Sequence, residues 1–410
     1  MFFLSLAVIL LVGGILGFLA NKIRIPSLII YLLLGMICGY FGLIDDRILA
    51  ISSELRKIAL IIILVKAGLS LDLKDLKKAG RPAILLSFVP AVIEMVTVGI
   101  VGHYLLNLSF LESFILGSVL GAVSPAVVVP RMVKMIEEKQ GTSKGIPQMI
   151  IAGSSLDDIV MIVCYTAFLT LEGGNSLNAM TFINVPLSII LGVAVGIGTG
   201  FLLSLLYDKV HMRDSLKLVI LLGVCFAYVF LESYLSKWVG FSSLLCAITM
   251  GIVILARRKT QAKRIAMKCD RLWTVAEVFL FVLVGASIKI DSLFSMILPA
   301  LGVVVIGLSM RMLAVITSLA KTPLNMKERL FVSISYLPKA TVQATIGGGL
   351  LDLGNSLGNE TIKAAGLIVL TTSVIAILLT APLGALGIDL TRNRLTEREL
   401  DAPKQIISEN

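Results

Sequence analysis

Apolar runs of about 20 residues recur along the chain, each separated from the next by a few polar positions, and each is long enough to cross a hydrocarbon core about 30 Å thick. The pattern predicts thirteen helical spans, at roughly 2–20, 27–44, 56–71, 82–106, 110–134, 146–171, 182–206, 216–236, 239–256, 272–289, 292–320, 329–351 and 361–386. A membrane β-barrel would alternate apolar and polar residues in segments of about ten, and this chain does not. The opening MFFLSLAVILLVGGILGFLA has no basic leader and no small-residue cleavage site, so it reads as a retained first span. The expected fold class is an all-α polytopic membrane protein. Residues 1–390 form one membrane domain, and 391–410 form a short polar tail.

Composition sharpens this picture. Of 410 residues, 57% are apolar and 15% charged, with a mean hydropathy of +0.98. A soluble domain is nearer half apolar and a quarter charged. The net charge of +10 would suit a nucleic-acid binder if it were pooled on one surface, but it is not. Of the 36 Lys and Arg, 27 fall in the connections after odd-numbered spans and in the tail, and six on the other side. Lys66, Arg311 and Lys339 lie inside spans. The positive-inside rule then places the N-terminus outside and the C-terminus in the cytoplasm of a cell membrane. The densest basic cluster, ARRKTQAKRIAMKCDR, reads as a cytoplasmic loop. Its residues from Arg257 to Arg271 would meet anionic lipid headgroups, and no nucleic-acid partner is expected. No soluble catalytic domain is expected, which argues against an enzyme. The five cysteines are scattered, and His103 and His211 fall near span ends, so no metal or disulfide framework and no cofactor is predicted.

Charges deep in a span are costly and usually mark an ion path or a paired site. The candidates are Lys66, Glu94, Asp157, Asp158, Glu277, Arg311 and Lys339, with Glu232 nearer a span end. Snorkelling accounts for Lys66, and Glu277 stays unassigned. Asp157 and Asp158 are adjacent, and nothing else between Ile146 and Leu171 is charged. Neighbouring helical residues differ by about 100° in direction, so one carboxylate can face a cavity while the other faces a partner helix. Two unpaired carboxylates in a low dielectric cannot both stay ionised cheaply; one must take a proton, a cation or a basic partner. Proton and metal ion would compete for the same oxygens.

Two spans carry helix breaks. Span 5 reads GAVSPAVVVP, with Pro125 and Pro130 inside an apolar run, and span 12 reads YLPKATVQATIGGG, with Pro338 beside Lys339. Proline removes a helix hydrogen bond, which at membrane depth is tolerated where the freed backbone lines a cavity or is packed in protein. The positions correspond: 31 residues separate Glu94 from Pro125 and 27 separate Arg311 from Pro338. Beyond the breaks, 32 residues lead to Asp157 and 33 to the polar Thr371–Ser373. Seven spans separate the two sets, so they enter the membrane from opposite sides, as in an inverted repeat whose two broken helices cross. Lys339 would offset the C-terminal dipole ends at the crossing, and Glu94 or another carboxylate the N-terminal ends. Arg311 cannot deprotonate and needs a permanent anion, with Glu94 the first choice and Asp157 the alternative. Gly13 and Gly17 make a GxxxG spacing suited to close helix packing or a dimer seam.

GAVSPAVVVP, GSSLDDI, RMLAVIT and YLPKATVQATIGG together resemble the cation–proton antiporter superfamily, in particular the bacterial and animal sodium/lithium–proton antiporters with an Asp-Asp pair and a PKATVQA segment. The resemblance runs from about Val89 to the end of span 13. It implies a thirteen-helix antiporter, a homodimer, with a mobile core (roughly 82–171 and 292–386) and a scaffold (roughly 1–71 and 182–256). It implies Asp158 as the main ion and proton carboxylate with Asp157 beside it, and Ser124 and Ser154 helping to ligate Na⁺ or Li⁺. Arg311 and Glu94 would form the core charge pair, and Lys339 with Pro125, Pro338 and Thr341 would stabilise the breaks.

The expected activity is therefore Na⁺(Li⁺)/H⁺ antiport by alternating access. K⁺/H⁺ antiport on the same fold is the first alternative, because cavity size is not readable from sequence. A sodium-coupled organic-anion symporter is less favoured, since no dense aromatic or Arg cluster accompanies the breaks.

Overall fold

A computed structural model describes residues 2–22, 26–70, 73–174, 179–235, 240–288 and 290–398. The last twelve residues of the predicted tail lie outside the described residues, as do Arg24, Lys237 and Lys289 of the loop charge pattern. The chain runs as helices α1 (Phe2–Lys22), α2 (Ser27–Tyr40), α3 (Asp46–Ala50), α4 (Ser52–Ser70), α5 (Leu73–Leu106) and α6 (Phe110–Leu120). There follow α7 (Pro125–Glu137), α8 (Ile146–Gly173), α9 (Ala179–Lys209), α10 (Asp214–Leu235), α11 (Ser243–Arg257) and α12 (Lys259–Ala286). The last five are α13 (Ile290–Ser318), α14 (Met326–Ser335), α15 (Thr341–Ile346), α16 (Gly349–Leu357) and α17 (Glu360–Leu395). Among the described residues, eight helical stretches are long and apolar enough to cross a membrane, and α2 and α11 are shorter apolar helices.

Each predicted span falls on helix, but several boundaries differ for local reasons. The predicted basic loop after span 9 is the first four turns of α12. Ala262, Ile265, Ala266 and Cys269 recur at helical spacing and are buried, so the basic residues between them occupy the outer face of an amphipathic helix. Predicted span 2 stops at Tyr40, and the short α3 follows, capped by Asp45, whose side chain accepts from the Arg47 backbone N–H at 3.0 Å. The Arg47 guanidinium also holds the Asp45 carboxyl down at about 2. The predicted tail begins as helix: α17 runs to Leu395, and the Glu397 carbonyl accepts from the Gly141 N–H at 2.8 Å.

Packing gathers the helices into two groups. α5 lies against α6, α8 and α13, while α17 packs on α13, α14 and α16. α12 lies against α2 and α4, and α11 against α4 and α9. The two long helices that open each repeat, α5 and α13, run side by side, which brings residue 94 next to residue 311. The half-helices α6 and α14 start alike, with capping boxes built from Ser109 and Glu112 and from Asn325 and Glu328. Gly13 and Gly17 face inward within the same chain, towards Val278 and Tyr31.

The α2–α12 contact depends on missing side chains. A Cβ on Gly35 would lie 2.0 Å from the Val282 carbonyl oxygen, and one on Gly285 would lie 2.2 Å from that of Leu32. Both obstacles are backbone, so neither can swing aside. Gly35→Val or Gly285→Val is expected to destabilise the protein by about 1–3 kcal/mol through overpacking. A thermal melt in detergent reads this as a lowered Tm, while Gly14→Val, where nothing lies within 4 Å, leaves it unchanged.

Candidate functional site

Helix breaks expose backbone groups that must find partners, and here they find one another. The Ser124 N–H, at the start of α7, donates to the Pro338 carbonyl at 2.8 Å, so the break between α6 and α7 touches the break between α14 and α15. Gln343 completes the join. Its Oε1 accepts from the Ala340 N–H at 2.7 Å, capping α15, and its Nε2 donates to the carbonyls of Val119 at 3.0 Å and Ala122 at 2.8 Å, closing the end of α6. Arg311 Nη1 donates to the Gly121 carbonyl. The C-terminal end of α6 is thus met by Arg311 and Gln343, where the sequence suggested Lys339. Pro125 occupies the first turn of α7, where its missing N–H costs nothing. Pro338 sits between α14 and α15, and the Lys339 N–H beside it donates to Thr380 Oγ1 at 2.9 Å. Thr341 opens α15, buried, with its carbonyl accepting from Thr345 Oγ1 at 2.9 Å.

Four charges lie against this crossing, all at most 2% exposed: Glu94 on α5, Asp157 on α8, Arg311 on α13 and Lys339 at the α14–α15 break. Arg311 Nη1 donates to Glu94 Oε2 at 2.6 Å, and Nη2 donates to Asp157 Oδ2. Lys339 Nζ donates to the same Glu94 oxygen at 2.6 Å. Asp157 Oδ1 accepts from the Val123 N–H at 3.0 Å, so a carboxylate stands at the N-terminal entry to α7, the place suggested for Glu94 or another carboxylate. Both candidate anions for Arg311 are its partners. Two carboxylates and two cations make the cluster neutral, and each charge is hydrogen-bonded.

Asp158 is the fifth charge and has a different environment. The 100° step along α8 turns it away from Arg311, and it is half-buried where Asp157 is closed off. Its Oδ1 is buried and meets no hydrogen-bond partner among the described residues. Ser154, one turn earlier, is buried, with Oγ donating to the Ile151 carbonyl at 3.3 Å. Ser124 Oγ is buried without a partner among the described residues, as is the Tyr336 hydroxyl, whose ring receives the Arg311 guanidinium at 5.4 Å. The aspartates are therefore not equivalent: one completes a neutral cluster, and the other, when ionised, has a charge that the cluster does not offset.

Other in-span charges lie elsewhere. Lys66 is partly exposed, and its ammonium pairs with Asp270 on α12. Glu232 accepts from the Ser243 hydroxyl and so ties α10 to α11. Glu277 lies half-buried on α12. Sequence reasoning missed Gln343: Ala340 at the N-cap has no side-chain oxygen, so no capping-box signature marked the position.

Comparison with known proteins gives the chain's family and fold. A family model described as "Sodium/hydrogen exchanger, transmembrane" matches residues 7–385. The human "Sodium/hydrogen exchanger 9B2" is 36% identical over 388 residues, covering 91% of this chain and 70% of the relative. The human "Sodium/hydrogen exchanger 9B1" is 30% identical over 361 residues, covering 86% and 68%. Among solved structures, the sodium proton antiporter MjNhaP1 from Methanocaldococcus jannaschii at pH 8 superposes with a TM-score of 0.81 at 23% identity, covering 95% of this chain and 97% of that one.

Gln343 and Arg311 are expected to fail differently when altered. Gln343→Leu orphans two carbonyls and one N–H, at about 1–3 kcal/mol each. Arg311→Met leaves two carboxylates facing one ammonium, at about 3–5 kcal/mol. Size-exclusion yield and melting temperature in detergent should fall for both. Adding Asp157→Asn to Arg311→Met should recover part of that loss, because it restores charge balance.

Proposed function

The chain belongs to the sodium/hydrogen exchanger family, and on that premise we propose that its Na⁺/H⁺ exchange runs through a single carboxylate, Asp158. The observation that carries this reading is the unpartnered buried Oδ1 of Asp158 beside a four-charge cluster that is already neutral. An ionised Asp158 leaves the core with one uncompensated charge, and burying it costs several kcal/mol. A proton or a Na⁺ cancels that charge, and both bind the same oxygens, so each excludes the other. Hard carboxylate and hydroxyl oxygens suit a small alkali cation. Ser124 and Ser154 supply such oxygens, with Ser124 Oγ free of other partners among the described residues.

This arithmetic also couples the fluxes. The core crosses with a proton or with Na⁺, and the unladen, ionised form is held back by its burial cost. α5–α8 and α13–α17 serve as the moving core, and α1, α2, α4 and α9–α12 as its frame, completed by a second copy in a homodimer. The chain lies in the cell membrane with its N-terminus outside, and the basic face of α12 contacts anionic headgroups at about 1 kcal/mol per residue. No covalent chemistry and no cofactor enters the cycle. With the Glu94, Arg311, Lys339 and Asp157 pairs intact, Asp158 alone changes its occupant, so one proton moves per Na⁺ and the exchange is electroneutral.

Reconstituted vesicles with a pH-jump dequenching readout test the site. Asp158→Asn is expected to abolish exchange, and retained exchange in that variant would overturn the assignment. Clamping the membrane potential with K⁺ and valinomycin should leave the wild-type rate unchanged. Competition fixes the sign of the pH dependence. Raising the pH removes the competing proton, so the apparent KM for Na⁺ should fall by about tenfold per pH unit where the site is mostly protonated, then level off. A KM independent of pH across pH 5–9 would contradict shared oxygens.

A further inference from the structure

At the far end of α15 from the crossing, a buried ion pair joins the two packing groups. Arg56, on the first turns of α4, is 4% exposed. Its Nη2 donates to Asp352 Oδ1 on α16 at 2.8 Å, and its Nε donates to the Ser52 carbonyl at 3.3 Å. Nη1 is buried with no hydrogen-bond partner among the described residues. The guanidinium lies flat against the bend between α15 and α16: a Cβ on Gly348 would sit 2.1 Å from Nη1. The Tyr165 hydroxyl holds the other side, 1.8 Å from a Cβ on Gly349. α4 packs chiefly on α11 and α12, and α16 chiefly on α17. The pair therefore adds an ionic tie across a boundary where α4 also meets α15 through apolar side chains.

We propose that Arg56 and Asp352 form a latch that closes one face of the protein, and that the latch must open for the core to move. The inference rests on the antiport reading and adds to it the contact that sets which side is shut. Three features favour a latch over a static joint. Asp352 is 21% exposed at its side chain, so separation leaves its carboxylate in reach of solvent instead of stranded. The donor set of Arg56 is only partly used, which weakens the closed state relative to a fully satisfied pair. α15, six residues long, is the one element between the latch bend and the crossing, so movement at Gly348 is delivered to the backbone of the crossing. A ligand-driven switch needs such a two-state element with a small energy gap.

A cross-link decides the matter. In protein whose five native cysteines are replaced, Arg56→Cys with Asp352→Cys is bridged by a short bifunctional methanethiosulfonate, and dithiothreitol removes the bridge. Exchange is expected to stop on bridging and to return on reduction; exchange that continues through a completed bridge would overturn the latch. A second readout avoids the new cysteines at the pair. Thr345, 8% exposed on α15, is changed to Cys and labelled with a membrane-impermeant maleimide from the face on which Arg56 lies. Gly348→Ala, whose α-region backbone accepts alanine, evicts Arg56, and Arg56→Gln with Asp352→Asn removes both charges without leaving one alone. Both are expected to raise the labelling rate by roughly tenfold. An unchanged rate in both variants, with normal size-exclusion profiles, would refute the latch. Asp158→Asn in the same vesicles separates the two ideas: exchange surviving there removes the Asp158 site, while the bridging result still reports on the latch.

Discussion

Four charges buried beyond the reach of water must cancel, and that requirement organises the core. Arg311 holds Glu94 and Asp157, and Lys339 holds Glu94 from the other side. Breaking any one contact leaves a charge that the surrounding apolar packing cannot solvate. The cluster ties α5, α8 and α13 to the α14–α15 break, so these elements move together or not at all. It also fixes the crossing, because Arg311 reaches the Gly121 carbonyl and Asp157 receives the Val123 N–H.

The breaks supply what continuous helices cannot. A helix interior has no free backbone groups, whereas a half-helix end has several. Here the ends are consumed by each other and by Gln343, leaving the crossing stiff. Stiffness matters for alternating access, since a site that deforms as it moves would lose the geometry that lets a proton and a cation compete. Contacts are fewer at the boundary between the packing groups.

The two repeats share a backbone plan and differ in chemistry. Glu94 and Arg311 occupy corresponding places with opposite sign, and they neutralise each other across the pseudosymmetric centre. The aspartate pair corresponds to Thr371–Ser373, which are buried and uncharged. Ser373 Oγ donates to the Val369 carbonyl at 2.7 Å, so that side spends its polar atoms on its own helix.

The sequence by itself determined the helical class, the positions of the two breaks and the identity of every charge in the cluster. These follow from local physics: apolar runs, proline chemistry and the cost of burying charge act along the chain and leave a readable pattern. Asp157 and Asp158 could be read as divergent, but not as which faces what, because that depends on how α8 is rotated against α13. The helical start of α12 was hidden by its basic residues, although Ala262, Ile265, Ala266 and Cys269 carried the period. Gln343 and the Arg56–Asp352 contact join residues hundreds of positions apart, or backbone ends on different repeats. Partners of that kind are set by the packing of helices in three dimensions, where distance along the chain has no bearing on which polar groups meet.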